Sequence, residues 1–235
     1  MNIIHHYNAD HDVTSAQQLV PYILDILQIR PKSVIDIGCG LAQWLRVFKE
    51  HGIEEVLGVD GFHIPQDKLN IDLSEFKACD LRELSTVDID KNFDLLLCLE
   101  VAEHLEPQYA RSFVQALVSL SDRIIFSAAV PNQTGENHFN EQYPDYWASI
   151  FSHYGYSFLD PFREKFWQNN KVNWWYTQNM FLVVKNELAG NYNFPYNGNV
   201  YIHPKLLDLQ ASLSKKSELG ANFKNLIKKI IGKNL

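Results

Sequence analysis

The sequence predicts an α/β protein, a mostly parallel sheet with helices on both faces, and three observations carry that prediction. Short β-branched or apolar runs alternate with segments of helical hydrophobic spacing, which is the pattern of parallel strands joined by helical crossovers. Polar residues fall where those runs end: Asp36, Gly38, Asp60, Asp80, Glu100 and Asn132 sit at or just beyond strand exits, the edge at which such sheets bind ligands. The chain of 235 residues, 46% of them hydrophobic, is also long enough to bury one sizeable core unaided.

The elements follow in chain order. Ser15 to Ile29 places Leu19, Val20, Ile23, Leu24, Ile26 and Leu27 at helical spacing, with Thr14 or Ser15 as N-cap and Pro31 as the stop. Ser33 to Ile37 is a short strand, and Gly38-Cys39-Gly40 is the turn after it. Leu41 to His51 is a helix with Trp44, Leu45 and Phe48 inward, closed by Gly52. Strands are expected at Val56 to Asp60, Phe76 to Asp80, Phe93 to Leu99, Arg123 to Ala128, Gly155 to Asp160 and Asn179 to Lys185, with a helix across Pro107 to Leu120. From Asn191 the pattern lapses into NYNFPYNGN, a loop composition. The chain therefore divides into a domain over 1–190, opened by a helix over 14–30, and a C-terminal loop and helical tail over 191–235.

Composition narrows the function classes. A net charge of −7 argues against a dedicated nucleic-acid partner, which would show a basic balance. No stretch approaches the roughly 20 apolar residues of a membrane span, and MNIIHHYNADHDV lacks the cationic start and apolar core of a secretory leader. Cys39, Cys79 and Cys98 form no CxxC pair and no disulfide framework, so a reducing cytoplasm is the expected location.

Asp36-Ile37-Gly38-Cys39-Gly40 is a glycine-rich strand-to-helix turn that lets a ligand approach the backbone. It is neither GxGxxG nor a GK[ST] phosphate loop. Asp60 ends the next strand, where a carboxylate can accept both ribose hydroxyls, and Asp80 ends the third, placed to accept from an adenine amino group. Either acid alone reads as a turn cap; the turn and both acids, in order and at strand ends, read as a nucleotide site.

Taken together, VIDIGCGLAQWL, VLGVDG, KACDL and FDLLLCLEVAEHL resemble the class I S-adenosylmethionine-dependent methyltransferases, over roughly Ser33 to Lys185. The resemblance implies a Rossmann-like seven-stranded sheet whose last strand runs antiparallel, with S-adenosyl-L-methionine as cofactor. It implies Gly38 and Gly40 under the methionine moiety, Asp60 on the ribose, Asp80 with Leu81 at the adenine, and Glu100 between cofactor and acceptor. A dehydrogenase is the competing reading of a glycine turn plus acid; the single GxG and the acid at 80 count against it.

Glu100, Glu103 and His104 form an ExxEH pattern, and a helix beginning near Glu100 would put all three on one face. Three readings stay open: a charged helix start with His104 packed under the adenosine, a general base at His104, or a divalent metal site. The third resembles ExxEH sites in some small-molecule and RNA-ribose O-methyltransferases. Those RNA enzymes add a histidine from a loop after the fifth strand, matched here by His138. Catalytic candidates are thus Glu100, His104 and His138, and metal candidates Glu100, Glu103, His104 and His138.

The segment HxNEQxPxYW, from His138 to Trp147, with the downstream WYTQN, resembles methyltransferases of bacterial polysaccharide and glycan assembly. The aromatics Trp147, Trp167, Trp174, Trp175 and Tyr176 alternate with Gln168, Asn169, Asn170, Asn173, Gln178 and Asn179; aromatic faces beside amides suit a sugar or a small aromatic acceptor, and half or more of the tryptophans read equally well as core. Arg163 and Lys165 are candidate contacts for an acceptor phosphate or carboxylate. A sugar O-methyltransferase is the leading expectation, with a small aromatic or polyketide hydroxyl, an amine, or a non-catalytic nucleotide-binding module as alternatives. At the ends, His5-His6-Tyr7 reads as a lid over the cofactor or as a loose terminus. Phe223, Leu226, Ile227, Ile230 and Ile231 with four lysines form a basic amphipathic stripe suited to a membrane surface, a partner or the domain itself.

Overall fold

The computed structural model describes residues 13–89 and 91–215. The candidate lid at His5-His6-Tyr7 and the basic stripe from Phe223 to Ile231 lie outside those residues. Helix α1 spans Val13–Ile26, followed by β1 (Ser33–Ile37), α2 (Gln43–Glu50), β2 (Glu55–Asp60), β3 (Phe76–Ala78) and β4 (Leu95–Leu99). Then come α3 (Ala110–Leu120), β5 (Arg123–Ser127), α4 (Pro144–His153), β6 (Tyr156–Leu159), α5 (Arg163–Phe166), α6 (Trp174–Asn179), β7 (Phe181–Lys185) and α7 (Asn186–Ala189). The chain divides into two compact units, Met1–Val200 and Tyr201–Leu235; of the second, a helix over 204–215 is described. No helix among the described residues is long and apolar enough to cross a membrane.

The seven strands form one sheet in the order β3-β2-β1-β4-β5-β7-β6. β7 runs antiparallel to both its neighbours and every other pairing is parallel, as expected. Strand side chains alternate between two cores. Val34, Leu95, Leu97, Ile125, Leu182 and Val184 face the layer of α1, α2 and α6. Ile35, Ile37, Leu96, Ile124, Phe126 and Val183 face that of α3 and α4. Every residue of β1 and β4 is buried, as apolar runs covered on both faces should be.

Element ends depart from the sequence reading for local reasons. α1 stops at Ile26, short of Ile29, because Gln28 takes a left-handed φ of 56° and reverses the chain before Pro31. Ser15 lies inside the helix rather than capping it, and its hydroxyl accepts from the Asn173 amide at 3.0 Å. α2 starts at Gln43, not Leu41, because Ala42 is also left-handed at 59° and prolongs the turn. Phe93 and Asp94 stay out of β4: the Phe93 amide donates to Leu120 at the end of α3 (2.8 Å), and the Asp94 carboxylate accepts from the Lys32 amide at the entrance to β1 (2.7 Å).

The sheet order reverses between β1 and β4, the crevice where open α/β sheets bind ligands. Gly38 leaves β1 with φ of 81°, and a Cβ there would fall 2.3 Å from Val101 Cγ2 on the chain leaving β4. Gly38→Ala should therefore combine overpacking with a left-handed penalty and cost about 2–4 kcal/mol. Urea unfolding of Gly38→Ala, Val101→Ala and the double variant checks this. Adding Val101→Ala should restore part of the loss, and simple additivity would remove the contact from the account.

Candidate active site

A cleft of about 700 Å³ opens at the β1–β4 crevice. One wall is the glycine turn. The Gly38 amide donates to Val59 O (2.7 Å), which ties the turn to β2. Asp60, ending β2, accepts from the Gly40 amide (2.7 Å) through one oxygen and from the Gly61 amide (2.6 Å) through the other. Two backbone donors thus fix its carboxylate in the cleft wall. Cys79, Asp80 and Leu81 line the far end. The Arg82 guanidinium pairs with Asp80 and holds its carboxyl below the usual carboxylate range. Asp36 is buried in β1 and does not line the cleft. Burial raises the thiols of Cys39, Cys79 (to about 11) and Cys98, so all three stay protonated and poor nucleophiles at neutral pH.

The stretch after β4 is not the α-helix that the ExxEH spacing assumes. Glu100 takes a left-handed φ of 55°, and a 3₁₀ turn, Ala102–His104, stands where the helix was expected. Glu100 and Glu103 consequently part company. Glu100 lines the cleft, and its carboxylate accepts from Gln133 Nε2 (2.8 Å) and Asn179 Nδ2 (3.2 Å). Asn179 also donates to Gln133 Oε1 (2.8 Å), which closes the triangle. Burial raises the Glu100 carboxyl above its usual range, while the amides of Asn179 and Gln133 work against that rise.

Glu103 points into the protein and is wholly buried. Neither of its carboxylate oxygens has a hydrogen-bond partner. Burial pushes its carboxyl well above the usual range, and the neighbouring Glu100 adds to the rise; the amides of Glu103 and Ala129 face it and offset this only in part. One ligand atom each from Glu103, His104 and His138 lie within 4.8 Å of one another. The two imidazoles meet edge to face at 4.8 Å. His104 lines the cleft, and its Nδ1 donates to Asn137 O (3.2 Å). Glu100 is outside this group, so the four-residue metal set read from the sequence reduces to three. A carboxylate oxygen and two imidazole nitrogens suit a divalent cation, and the unpartnered Glu103 charge requires a proton or a cation.

The aromatic and amide cluster is placed otherwise than the composition suggested. Trp147 is core between β5 and α4, and Tyr176 packs against Trp44. Gln178 and Asn179 are buried and serve Glu100 and Gln133 rather than the cleft. Arg163 is buried as well: it donates to Gln178 O (2.9 Å) and pairs with Asp160 at 3.5 Å, so it is not an open anion contact. The cleft is lined instead by His104, Glu106, Asn137 and Phe139, beside the glycine turn and the acids. Phe139 and Phe62 line the same cleft and are 57% and 77% exposed. Gln133 escaped the sequence reading altogether; its only signal was a second amide beside Asn132 in the loop after β5.

Residues 7–180 match the family model of a methyltransferase domain. No curated protein matches the chain. Among solved structures, it is similar to a SAM-dependent methyltransferase from Clostridium acetobutylicum, at 12% identity over 75% of this chain and 93% of that one, with a TM-score of 0.56. It is similar to magnesium protoporphyrin IX methyltransferase from Synechocystis, solved with bound SAM, at 17% identity over 79% and 86% of the two chains (TM-score 0.51). An O-methyltransferase family protein from Burkholderia thailandensis matches at 13% identity over 77% of this chain (TM-score 0.51), and the match spans 60% of that protein's length. At these identities the structural matches show the fold alone.

The Glu103 geometry makes a stability prediction. A carboxyl raised by burial contributes most below its unfolded value, near 4.5, and that contribution is lost as pH rises through the folded value. In chelator, Glu103→Gln should therefore be more stable than the parent at pH 8, by on the order of 1–3 kcal/mol, with the gap closing toward acid. Urea midpoints across pH check it, and a parent that outlasts the variant at pH 8 would show that the folded protein itself compensates the charge.

Proposed function

The chain belongs to the methyltransferase-domain family, a family of S-adenosylmethionine-dependent enzymes, and we propose that it transfers the cofactor's methyl group to a hydroxyl of a sugar or sugar-bearing metabolite. The observation that carries this reading is the placement of His104. It stands in the wall of the same cleft that Gly38, Gly40, Asp60, Asp80 and Leu81 line. Those residues suit the cofactor: the glycine turn for the methionine moiety, Asp60 for the ribose, Asp80 and Leu81 for the adenine, Glu100 between cofactor and acceptor.

The chemistry asks little beyond alignment. The acceptor oxygen attacks the methyl carbon opposite the sulfonium, a C–O bond forms, the C–S bond breaks, and the leaving group is a neutral thioether. The hydroxyl proton needs an acceptor. Because His104 Nδ1 donates to the Asn137 carbonyl, its Nε2 carries the lone pair that can take it. The preference for a sugar rests on Phe139, Asn137 and Glu106 lining one cleft, an apolar face together with hydrogen-bonding groups.

The unpartnered Glu103 favours a second reading of the same cluster, in which Glu103, His104 and His138 hold a divalent ion. When bound, such an ion would lower the pKa of the acceptor hydroxyl. Glu103 would supply the anionic ligand and the histidines the neutral ones. A glycan acceptor would also give the basic C-terminal stripe a purpose at a membrane surface.

Labelled S-adenosylmethionine offered with nucleotide sugars, polysaccharide fragments and phenols, with and without chelator, tests these readings together. His104→Ala should lower transfer by about 10²–10⁴-fold and leave cofactor affinity unchanged in calorimetry, whereas Asp60→Ala should abolish cofactor binding. Full activity in chelator removes the metal, transfer to phenols alone removes the sugar, and Asp60→Ala binding cofactor like the parent sinks the site.

A further inference from the structure

The loop from Val130 to Tyr143 is built in a conformation that its residues disfavour. Asn132, Thr134 and Asn137 take left-handed φ values of 68°, 60° and 59°, a region that few non-glycine residues occupy. One side chain holds this segment together. Glu141 accepts from the Asn132 amide through Oε2 (2.7 Å) and from the Thr134 amide through Oε1 (2.7 Å). The same Oε1 lies 2.8 Å from His138 Nδ1. At its far side the loop is pinned to the cluster, since the Phe139 and Asn140 amides both donate to Glu103 O (2.8 and 2.9 Å).

An ionised carboxylate only accepts hydrogen bonds, so the partner nitrogen of His138 must carry a proton. We propose that Glu141 is a positioning residue of the site: it accepts from His138 Nδ1, holds the imidazole in its Nδ1–H form and so leaves the ring's lone pair on Nε2. The inference rests on the reading of that cluster given above, and it holds whether the species between the three residues is a proton or a metal ion. His104 is locked the same way by the Asn137 carbonyl, which belongs to the same loop. The loop therefore sets both histidines to one tautomer from one anchor. Gly135 makes room for this ring position: a Cβ there would fall 2.1 Å from His138 Nε2, so any side chain would displace the imidazole that Glu141 holds. Second partners of this kind, a carboxylate behind a ligating imidazole, fix ring orientation and raise basicity.

The test reads the tautomer directly. Long-range ¹H–¹⁵N correlation on protein labelled at histidine, at about pH 8 and so above the ordinary imidazole range of about 6.5, reports which nitrogen of His138 is protonated. Assignment comes from the signal lost in His138→Gln. The parent should show Nδ1–H, and Glu141→Ala should move His138 toward the other tautomer. Proton density on Nε2 in the parent, or a Glu141→Ala spectrum that keeps the parent's form, overturns the proposal. The parent's own spectrum needs no substitution, so the proposal can be refuted even if the variant does not fold. In a second arm, ZnCl₂ is titrated into chelator-treated parent, Glu141→Ala and His138→Ala. Loss of about 10–100-fold in affinity on Glu141→Ala is expected, and parent-like affinity there beside a loss in His138→Ala overturns the positioning role. If zinc fails to bind the parent as well, the metal reading falls, and the tautomer measurement still judges Glu141.

Discussion

Everything at the site depends on how tightly the exits of β1 and β4 are pressed together. These neighbouring strands are buried on both faces, and the sheet order reverses between them, so their carboxyl ends open into one crevice. With Val101 Cγ2 only 2.3 Å from where a Gly38 Cβ would stand, the two exits leave no room for a side chain between them. That closeness sends the glycine turn and the CLEVAEHL stretch to opposite lips of one cleft. Glu100 takes a left-handed conformation at the turn out of β4 and lines the cleft, while Glu103 is buried behind it.

The three acids around the cleft are compensated in three different ways, and the differences sort their roles. Asp60 is held by two backbone amides, a fixed arrangement that needs no further partner to keep its shape. Glu100 is held by side-chain amides, Gln133 and Asn179, themselves locked to each other and backed by Gln178. Glu103 has neither. A buried carboxylate without hydrogen bonds is costly, and among the described residues the ligand atoms that gather with its own are those of His104 and His138. The compensation that the fold withholds at Glu103 has to arrive as a proton or a cation.

Much of this was legible in the sequence, and the parts that were not have identifiable reasons. The strand cores, the glycine turn and the acids at 60 and 80 are local signals: β-branched runs, a GxG turn and residues placed by strand length alone. The antiparallel last strand came from the family resemblance, not from the residues. What local signals misjudged depends on backbone conformations outside the helix and strand periods. The i, i+3, i+4 argument that grouped Glu100 with Glu103 and His104 fails because the backbone at Glu100 is not helical and residues 102–104 form a 3₁₀ turn. The amides Gln178 and Asn179 look like surface binding groups beside tryptophans, yet they end a short helix directly before strand β7, paired on both sides, and that position buries them. Gln133 had no period to belong to at all; its role exists only because the loop after β5 folds back toward Glu100.

That loop is where the two halves of the problem meet. Its backbone hangs from the Glu103 carbonyl and its strained residues hang from the Glu141 carboxylate, so the acid that lacks a partner and the acid that has three are joined by one short segment. A species that enters between Glu103, His104 and His138 therefore acts on more than a charge. It fixes the imidazole that Glu141 holds and, through the Asn137 carbonyl, the imidazole that lines the cleft. The same segment carries Asn137 and Phe139, which line the cleft. Compensation of the buried acid and the shape of this cleft wall are thus one structural variable: whatever orders the loop around Glu103 also sets where Asn137 and Phe139 stand.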